Sequence, residues 1–98
     1  MTYLVLCTFD LKSASTTDYQ NAYSDLEKIG LKKVHKGSSG NNIVIPTTAA
    51  MGEFEGASAA SVRDDISKQA HTVFSKRGLK SEIFVTVGGD WAWGARTT

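Results

Sequence analysis

The order of hydrophobic periodicities constrains the fold of this chain more than any other feature. Two stretches repeat apolar residues at the 3.6-residue period of a helix, and four resemble strands, in the order β, α, β, β, α, β. Two helices packed on one face of a four-stranded antiparallel sheet satisfy this order, which is the ferredoxin-like α+β arrangement. We expect a single ferredoxin-like domain over residues 1–98, with residues 88–98 as a Trp-containing C-terminal tail.

The first strand is predicted over residues 2–9, which are rich in β-branched and aromatic side chains. Apolar residues stand on both of its faces, so we expect it to be central in the sheet. Further strands are predicted within LKKVHKG (31–37), NIVIPTTAAMGEF (42–54) and SEIFVTV (81–87). Because Pro46 has no N–H to donate, a bend, a bulge or a sheet edge is expected there.

Two helices are predicted between these strands. Thr16 or Thr17 can cap the first, and Thr17 with Gln20 fits a capping box. Gly30 supplies its C-terminal stop, and Ser58 can cap the second helix. The two apolar stripes are Tyr19, Ala22, Tyr23, Leu26 and Ile29, and then Val62, Ile66, Ala70, Val73 and Phe74.

Composition restricts the environment and the partners. The net charge of +1 argues against strong non-specific nucleic-acid binding, although a local basic patch would be compatible with it. The single cysteine, Cys7, cannot form an internal disulfide and is expected to be a buried apolar residue. No stretch approaches the roughly 18 apolar residues of a membrane span, and no leader segment is evident, so we expect a cytoplasmic protein.

Two residues are candidates for catalysis. Asp10 follows the first strand, where a carboxylate could hold Mg²⁺ or position a nucleophile. The alternative is that Asp10 only begins a loop by bonding nearby amides. His35 is a candidate general base, while His35 and His71 have no metal-motif spacing to other ligands. No metal site or cofactor is otherwise predicted.

Four cations are candidate nucleic-acid contacts: Lys33, Lys36, Arg63 and Arg96. The segment HKGSSGNN (35–42), beside Lys33, could hold a phosphate in its backbone amides, or it could be only a flexible turn. Arg63 lies in the first turns of the second helix, where an ion pair explains it equally well.

The tail GGDWAWGARTT (88–98) places Trp91 and Trp93 two residues apart, so that both rings point to one side of an extended chain. Rings of this size are unfavourable to leave in water. They are expected to anchor the core or a dimer interface. The alternative is that they stack on a nucleobase, with Arg96 contacting phosphate.

In its order of elements the chain resembles the small ferredoxin-like endoribonuclease group. That group includes the GhoS-type antitoxin endoribonucleases, the VapD-type toxins and the small CRISPR-associated nuclease subunit. The resemblance rests on a strand that ends in FD (9–10), a helix, a glycine-bearing hairpin, a second helix and a final strand. It implies a homodimer that cleaves or binds RNA, with Asp10 at the position of that nuclease subunit's strand-one Asp. The arginine-rich first helix of that subunit is replaced here by the acidic TTDYQNAYSDLEKIG (16–30).

Three functions follow as expectations. The first is a small homodimeric endoribonuclease-like or single-stranded-RNA-binding protein, of toxin–antitoxin type. The second is a non-catalytic dimeric module, a regulator or immunity-type protein, that binds a protein partner through the sheet face or the tryptophan tail. The third is a small-molecule-binding or metabolic enzyme with the same fold.

Overall fold

The computed structural model describes all 98 residues and has the α+β composition predicted from the sequence. It contains two helices and five strands, which in chain order are β1 (Thr2–Leu11), α1 (Thr16–Lys28), β2 (Val34–Lys36), β3 (Asn42–Val44), β4 (Ala49–Glu55), α2 (Ala59–Lys76) and β5 (Ser81–Gly88). Neither helix is long and apolar enough to cross a membrane.

The main sheet has three strands in the order β4-β1-β5, and β1 is antiparallel to both of its neighbours. The prediction of a central first strand is therefore confirmed. Successive residues of β1 turn their N–H and C=O groups to opposite neighbours. Phe9 N donates to Thr48 O at 3.0 Å on the β4 side, and Lys12 N donates to Lys80 O at 2.9 Å on the β5 side.

The predicted four-stranded sheet is wrong. The short strands β2 and β3 pair with each other in a separate hairpin, which meets the main sheet only at an isolated bridge between Lys32 and Met51. The reason lies in the residue that follows the bridge. The carbonyl of Lys33 accepts from Ile45 N at 2.9 Å, so the chain beyond it pairs with β3 rather than with β4.

The predicted irregularity at Pro46 is confirmed, and it divides one expected strand into two. β3 ends at Val44, and β4 begins only at Ala49. Between them Pro46 has no N–H, and Thr48 has a left-handed backbone with φ of 62°. This break gives β3 and β4 different partners.

Both helices pack on the same face of the main sheet. The odd-numbered residues of β1 form the centre of the buried cluster, and helix residues cover them. The helix residues in this cluster are Ala22, Leu26, Val62, Ile66, Ala70 and Phe74. Cys7 is fully buried there as a free thiol, as predicted.

The other face of the main sheet carries no helix, and we call it the open face. It is formed by even-numbered residues of β1 and β5 and odd-numbered residues of β4. Phe84 projects from it with 66% of its surface exposed. Met51 lies on the same face next to Leu6 but is only 6% exposed.

The helix caps confirm one prediction and correct another. Ser58 caps α2, and its hydroxyl accepts from Ser61 N at 3.0 Å. The cap of α1 is Ser15 rather than Thr16 or Thr17, and Asp18 completes its capping box. Because the Asp18 carboxylate bonds back to Ser15 N at 3.0 Å, the helix begins one residue earlier than the threonines suggest.

Candidate functional site

Asp10 lies on the open face near the end of β1, and its side chain is exposed to solvent. Its neighbour across the sheet is Glu82 of β5. The two carboxylates border a shallow depression of about 420 Å³, together with Thr8, Thr48 and Phe84. Glu82 also forms an ion pair with Lys12 at 3.5 Å. The structure thus gives Asp10 an acidic neighbour and free access from solvent.

The donor set around Asp10 is small for a metal site. No group of three histidine, cysteine or acidic side chains is close enough to hold an ion. Mg²⁺ is often held by one or two carboxylates together with water and substrate phosphates. Mg²⁺ at Asp10 stays a prediction, and Glu82 is the acidic residue next to Asp10 across the sheet.

His35 lies on β2, away from the depression that contains Asp10. Its Nε2 is 2.8 Å from the carbonyl oxygen of Lys32. Because a carbonyl only accepts, Nε2 carries the proton in this contact. The imidazole also meets the Trp93 ring edge to face, with 6.2 Å between centroids and 64° between planes. The structure therefore brings His35 together with the tail and not with Asp10.

Two of the four predicted nucleic-acid cations are held by other groups. Lys33 is half-buried, and its Nζ donates to Ile45 O at 3.1 Å and lies 4.5 Å from the centre of the Tyr23 ring. Arg63 pairs with the adjacent Asp64 at 3.0 Å on the exposed side of α2. Neither of these cations is close to the hairpin turn.

The other two cations, Lys36 and Arg96, are adjacent in sequence to a cleft between the β2–β3 hairpin and the C-terminal tail, and Lys36 Nζ donates to Gly40 O at 3.5 Å. We call this cleft the hairpin–tail cleft, and it is lined by Gly37, Ser38, Ser39, Asn41, Ile43, Trp93, Gly94 and Ala95. Its volume is about 510 Å³. Lys36 immediately precedes this lining in the hairpin, and Arg96 immediately follows it in the tail. The cleft thus combines an indole ring with short polar side chains, and two cations are adjacent to its lining in the sequence.

The hairpin turn is shaped by its glycines and its polar side chains. Gly40 has a φ of 83°, and its N–H donates to Gly37 O at 2.9 Å. Gly37 N donates to Asn41 O at 2.9 Å, and the Ser39 hydroxyl bonds the Asn41 side chain. This tight turn presents the Ser38, Ser39 and Asn41 side chains to the cleft.

The tryptophans do not join the helix-side core. Neither is among the apolar side chains packed against that cluster. Trp91 is half-buried, and Trp93 is 42% exposed where it borders the hairpin–tail cleft. The tail therefore packs on the hairpin through Trp93 and leaves part of this ring accessible.

A polar contact that sequence reasoning missed joins α1 to the segment between β3 and β4. The Tyr23 hydroxyl accepts from Thr48 N at 2.6 Å and from Lys33 Nζ at 3.3 Å. Helical spacing alone predicts Tyr23 only as a member of an apolar stripe. Because a tyrosine on such a stripe needs a partner for its hydroxyl, the presence of Tyr23 there was a signal for a polar contact.

Burial removes Cys7 from the candidate nucleophiles. The surrounding apolar core raises the pKa of its thiol to about 11, because the thiolate would lose its hydration. At neutral pH the side chain is a neutral thiol in the centre of the sheet.

Comparisons with known proteins do not assign the chain to a family: no protein-family model matches it, and no curated protein matches it significantly.

Proposed function

We propose that this protein binds single-stranded RNA in the hairpin–tail cleft, with one base stacked on Trp93. The observation that supports this most directly is the partly exposed Trp93 ring in a polar cleft whose lining is preceded by Lys36 and followed by Arg96 in the sequence. A role of toxin–antitoxin type and a cytoplasmic location belong to the same proposal, and they rest on the sequence analysis alone.

Each part of the cleft has a chemical role in this proposal. The face of an indole ring stacks on any base and contributes about 1–3 kcal/mol per base. The Ser38, Ser39 and Asn41 side chains can exchange hydrogen bonds with base edges or with ribose hydroxyls. Lys36 and Arg96 neutralise phosphates on either side of the stacked base. With two cations and a net charge of +1, binding is expected to be modest and only moderately sensitive to salt.

Fluorescence anisotropy with a labelled oligoribonucleotide of about 12 nucleotides tests the proposal. Trp93→Leu is expected to weaken binding about tenfold or more, because it removes the stacking surface. Lys36→Ala and Arg96→Ala are expected to weaken binding and to reduce its salt dependence. Arg63→Ala is the matched control, since this cation lies on α2 and should not affect binding. Equal affinity in the wild type and Trp93→Leu would overturn the proposal.

The endoribonuclease function is a separate step that depends on Asp10. Because this side chain is exposed, Asp10→Asn should preserve the fold and report only on chemistry. If the chain cleaves the oligoribonucleotide, cleavage is expected to fall at least tenfold in Asp10→Asn, with and without Mg²⁺. Thr16→Asn, on the exposed start of α1, is the control. Unchanged cleavage in Asp10→Asn would remove Asp10 from the mechanism.

A second candidate function is a dimeric protein-interaction module. It is favoured by the open face, where Phe84 exposes two thirds of its surface on a strand with no outer neighbour. The homodimer and the protein partner predicted from the sequence belong to this proposal. It does not require RNA, and the open face is a different surface from the hairpin–tail cleft.

A further inference from the structure

The outer edge of β5 is a long row of unpaired backbone groups. In β1 the even-numbered residues face β5, as the bond from Lys12 N to Lys80 O at 2.9 Å shows. In β5 the even-numbered residues therefore bond to β1, and the odd-numbered residues turn their N–H and C=O groups outward. The outward-facing residues are Ser81, Ile83, Val85 and Val87. β5 is an edge strand with no neighbour on this side.

The opposite edge of the sheet is protected and the β5 edge is not. On β4 the outer groups of Met51 pair with Lys32 at 2.9 Å in both directions, and the charged side chains of Glu53 and Glu55 follow. Charged residues and short covering segments are common protections of a strand edge. In β5 the only charged residue is Glu82, and the exposed Phe84 stands at the middle of the strand.

We propose that the β5 edge binds the β5 edge of a second copy of this chain, in antiparallel register, with Phe84 on the two-fold axis. This inference rests on the dimeric second function proposed above and names the surface that forms the dimer. A second copy fits this edge because the register centred on Phe84 overlaps nearly the whole strand with its copy and brings no like charges together. A two-fold axis there pairs Ile83 with Val85 of the partner subunit and Ser81 with Val87 of the partner subunit, so that all four find partners.

The side chains fit the same register. Phe84 sits opposite its own copy in a non-hydrogen-bonded pair, where Cα atoms are about 4.5 Å apart and aromatic rings interact favourably. Glu82 falls opposite Thr86 of the partner subunit, so no two like charges face each other. The three-stranded sheets then continue into each other, and the half-exposed Ile83, Val85 and Val87 side chains meet on the helix side.

The helix layer is compatible with this pairing. α2 is the helix that contacts β5 most extensively, so its outer side would approach the partner's α2. Its other side faces α1 and includes Asp65, Gln69 and Val73. Helical spacing places Ser67 and His71 on the outer side, so the partner's α2 would meet uncharged or weakly charged polar side chains there.

Light scattering on the full chain over a range of concentrations tests the proposal, because one chain has a mass of 10.5 kDa. We expect the wild type to reach twice that mass and Phe84→Glu to remain monomeric, since two carboxylates would meet on the axis. Val44→Glu is the matched control, with an exposed apolar residue on β3 replaced by the same charge. Thermal unfolding of dilute Phe84→Glu should match that of the dilute wild type.

Mixing two variants tests the register. Phe84→Glu and Phe84→Lys should each be monomeric alone and should form a heterodimer when mixed, because residue 84 meets its own copy only in this register. A wild type that stays monomeric up to its solubility limit would overturn both the β5 pairing and the dimeric second function. A wild-type dimer that persists in Phe84→Glu, or a mixture that stays monomeric, would overturn the β5 pairing alone and place any dimer on another surface.

Discussion

Arg77 at the end of α2 donates two hydrogen bonds to Asp25 of α1. The Nε and Nη2 atoms of Arg77 donate to the two carboxylate oxygens of Asp25 at 2.6 and 2.9 Å. The Asp25 side chain is only 12% exposed. This bidentate pair is the direct polar link between the two helices, which otherwise contact each other through apolar side chains.

The ion pair makes stability depend on pH in acid. The hydrogen bonds from Arg77 lower the pKa of Asp25 below its usual value of 3.8. The pair therefore contributes fully above that value and is lost as the pH falls through the lower pKa of the folded state. We expect Asp25→Asn to reduce stability at neutral pH and to flatten its fall in acid, as measured by urea unfolding at several pH values. Glu82→Gln, in the exposed pair with Lys12, is the control and should keep the wild-type slope.

Tyr23→Phe should destabilise the junction between β3 and β4. The substitution removes the acceptor of Thr48 N and leaves this half-buried amide unpaired, which costs about 1–3 kcal/mol. Urea unfolding gives the change, and hydrogen exchange at Thr48 should accelerate. Tyr3→Phe is the matched control, because the Tyr3 hydroxyl bonds only the Met1 sulfur. Equal stability of the two variants would contradict the prediction.

The stability of α1 should depend on Ser15, the residue that caps its N-terminus. Ser15→Ala removes the hydroxyl that accepts from Asp18 N at 3.1 Å and should lower the free energy of unfolding by about 1 kcal/mol. Thr17→Ala should change it by less than about 0.5 kcal/mol, since Thr17 is an exposed residue inside the helix. Thermal or urea unfolding distinguishes the two. A larger loss in Thr17→Ala would mean that the helix begins later than described.

Cys7 should resist thiol reagents in the folded protein. Burial in the core and a pKa raised to about 11 leave little accessible thiolate at neutral pH. Labelling should require unfolding, so its rate should increase with urea in parallel with the unfolded fraction. A Cys7→Ala, Ser24→Cys double variant carries an exposed thiol on α1 and should react at once. Rapid labelling of the native wild type would show that the core opens readily.

Local signals in the sequence identified most elements. Alternation and β-branched content located β1 and β5, and the apolar stripes located both helices. The Ser58 cap and the break at Pro46 followed from the chemistry of those residues. Local signals could not predict that the main sheet has three strands rather than four. Whether LKKVHKG (31–37) pairs with β4 or with β3 depends on the backbone after Lys32, which no periodicity reports.

The sequence identified candidate site residues one at a time, but it did not show which of them lie together. His35 and Trp93 were chosen separately, and their contact depends on where the tail runs after β5. The pattern also could not show that Lys33 turns inward to Tyr23 while Lys36 stays exposed, since both lie in the same basic segment. Such contacts between distant parts of the chain come from tertiary structure.

The central position of β1 determines when this protein can fold during synthesis. β1 leaves the ribosome before both of its neighbours, β4 and β5, which begin at Ala49 and Ser81. Until β5 has emerged, the backbone groups of Leu4, Leu6 and the other even-numbered residues of β1 have no strand to pair with. Sheets built from such distant segments form slowly, because the loops must close before the pairing compensates for them. Folding of the main sheet therefore follows translation of β5, and until then β1 is an incompletely paired apolar strand.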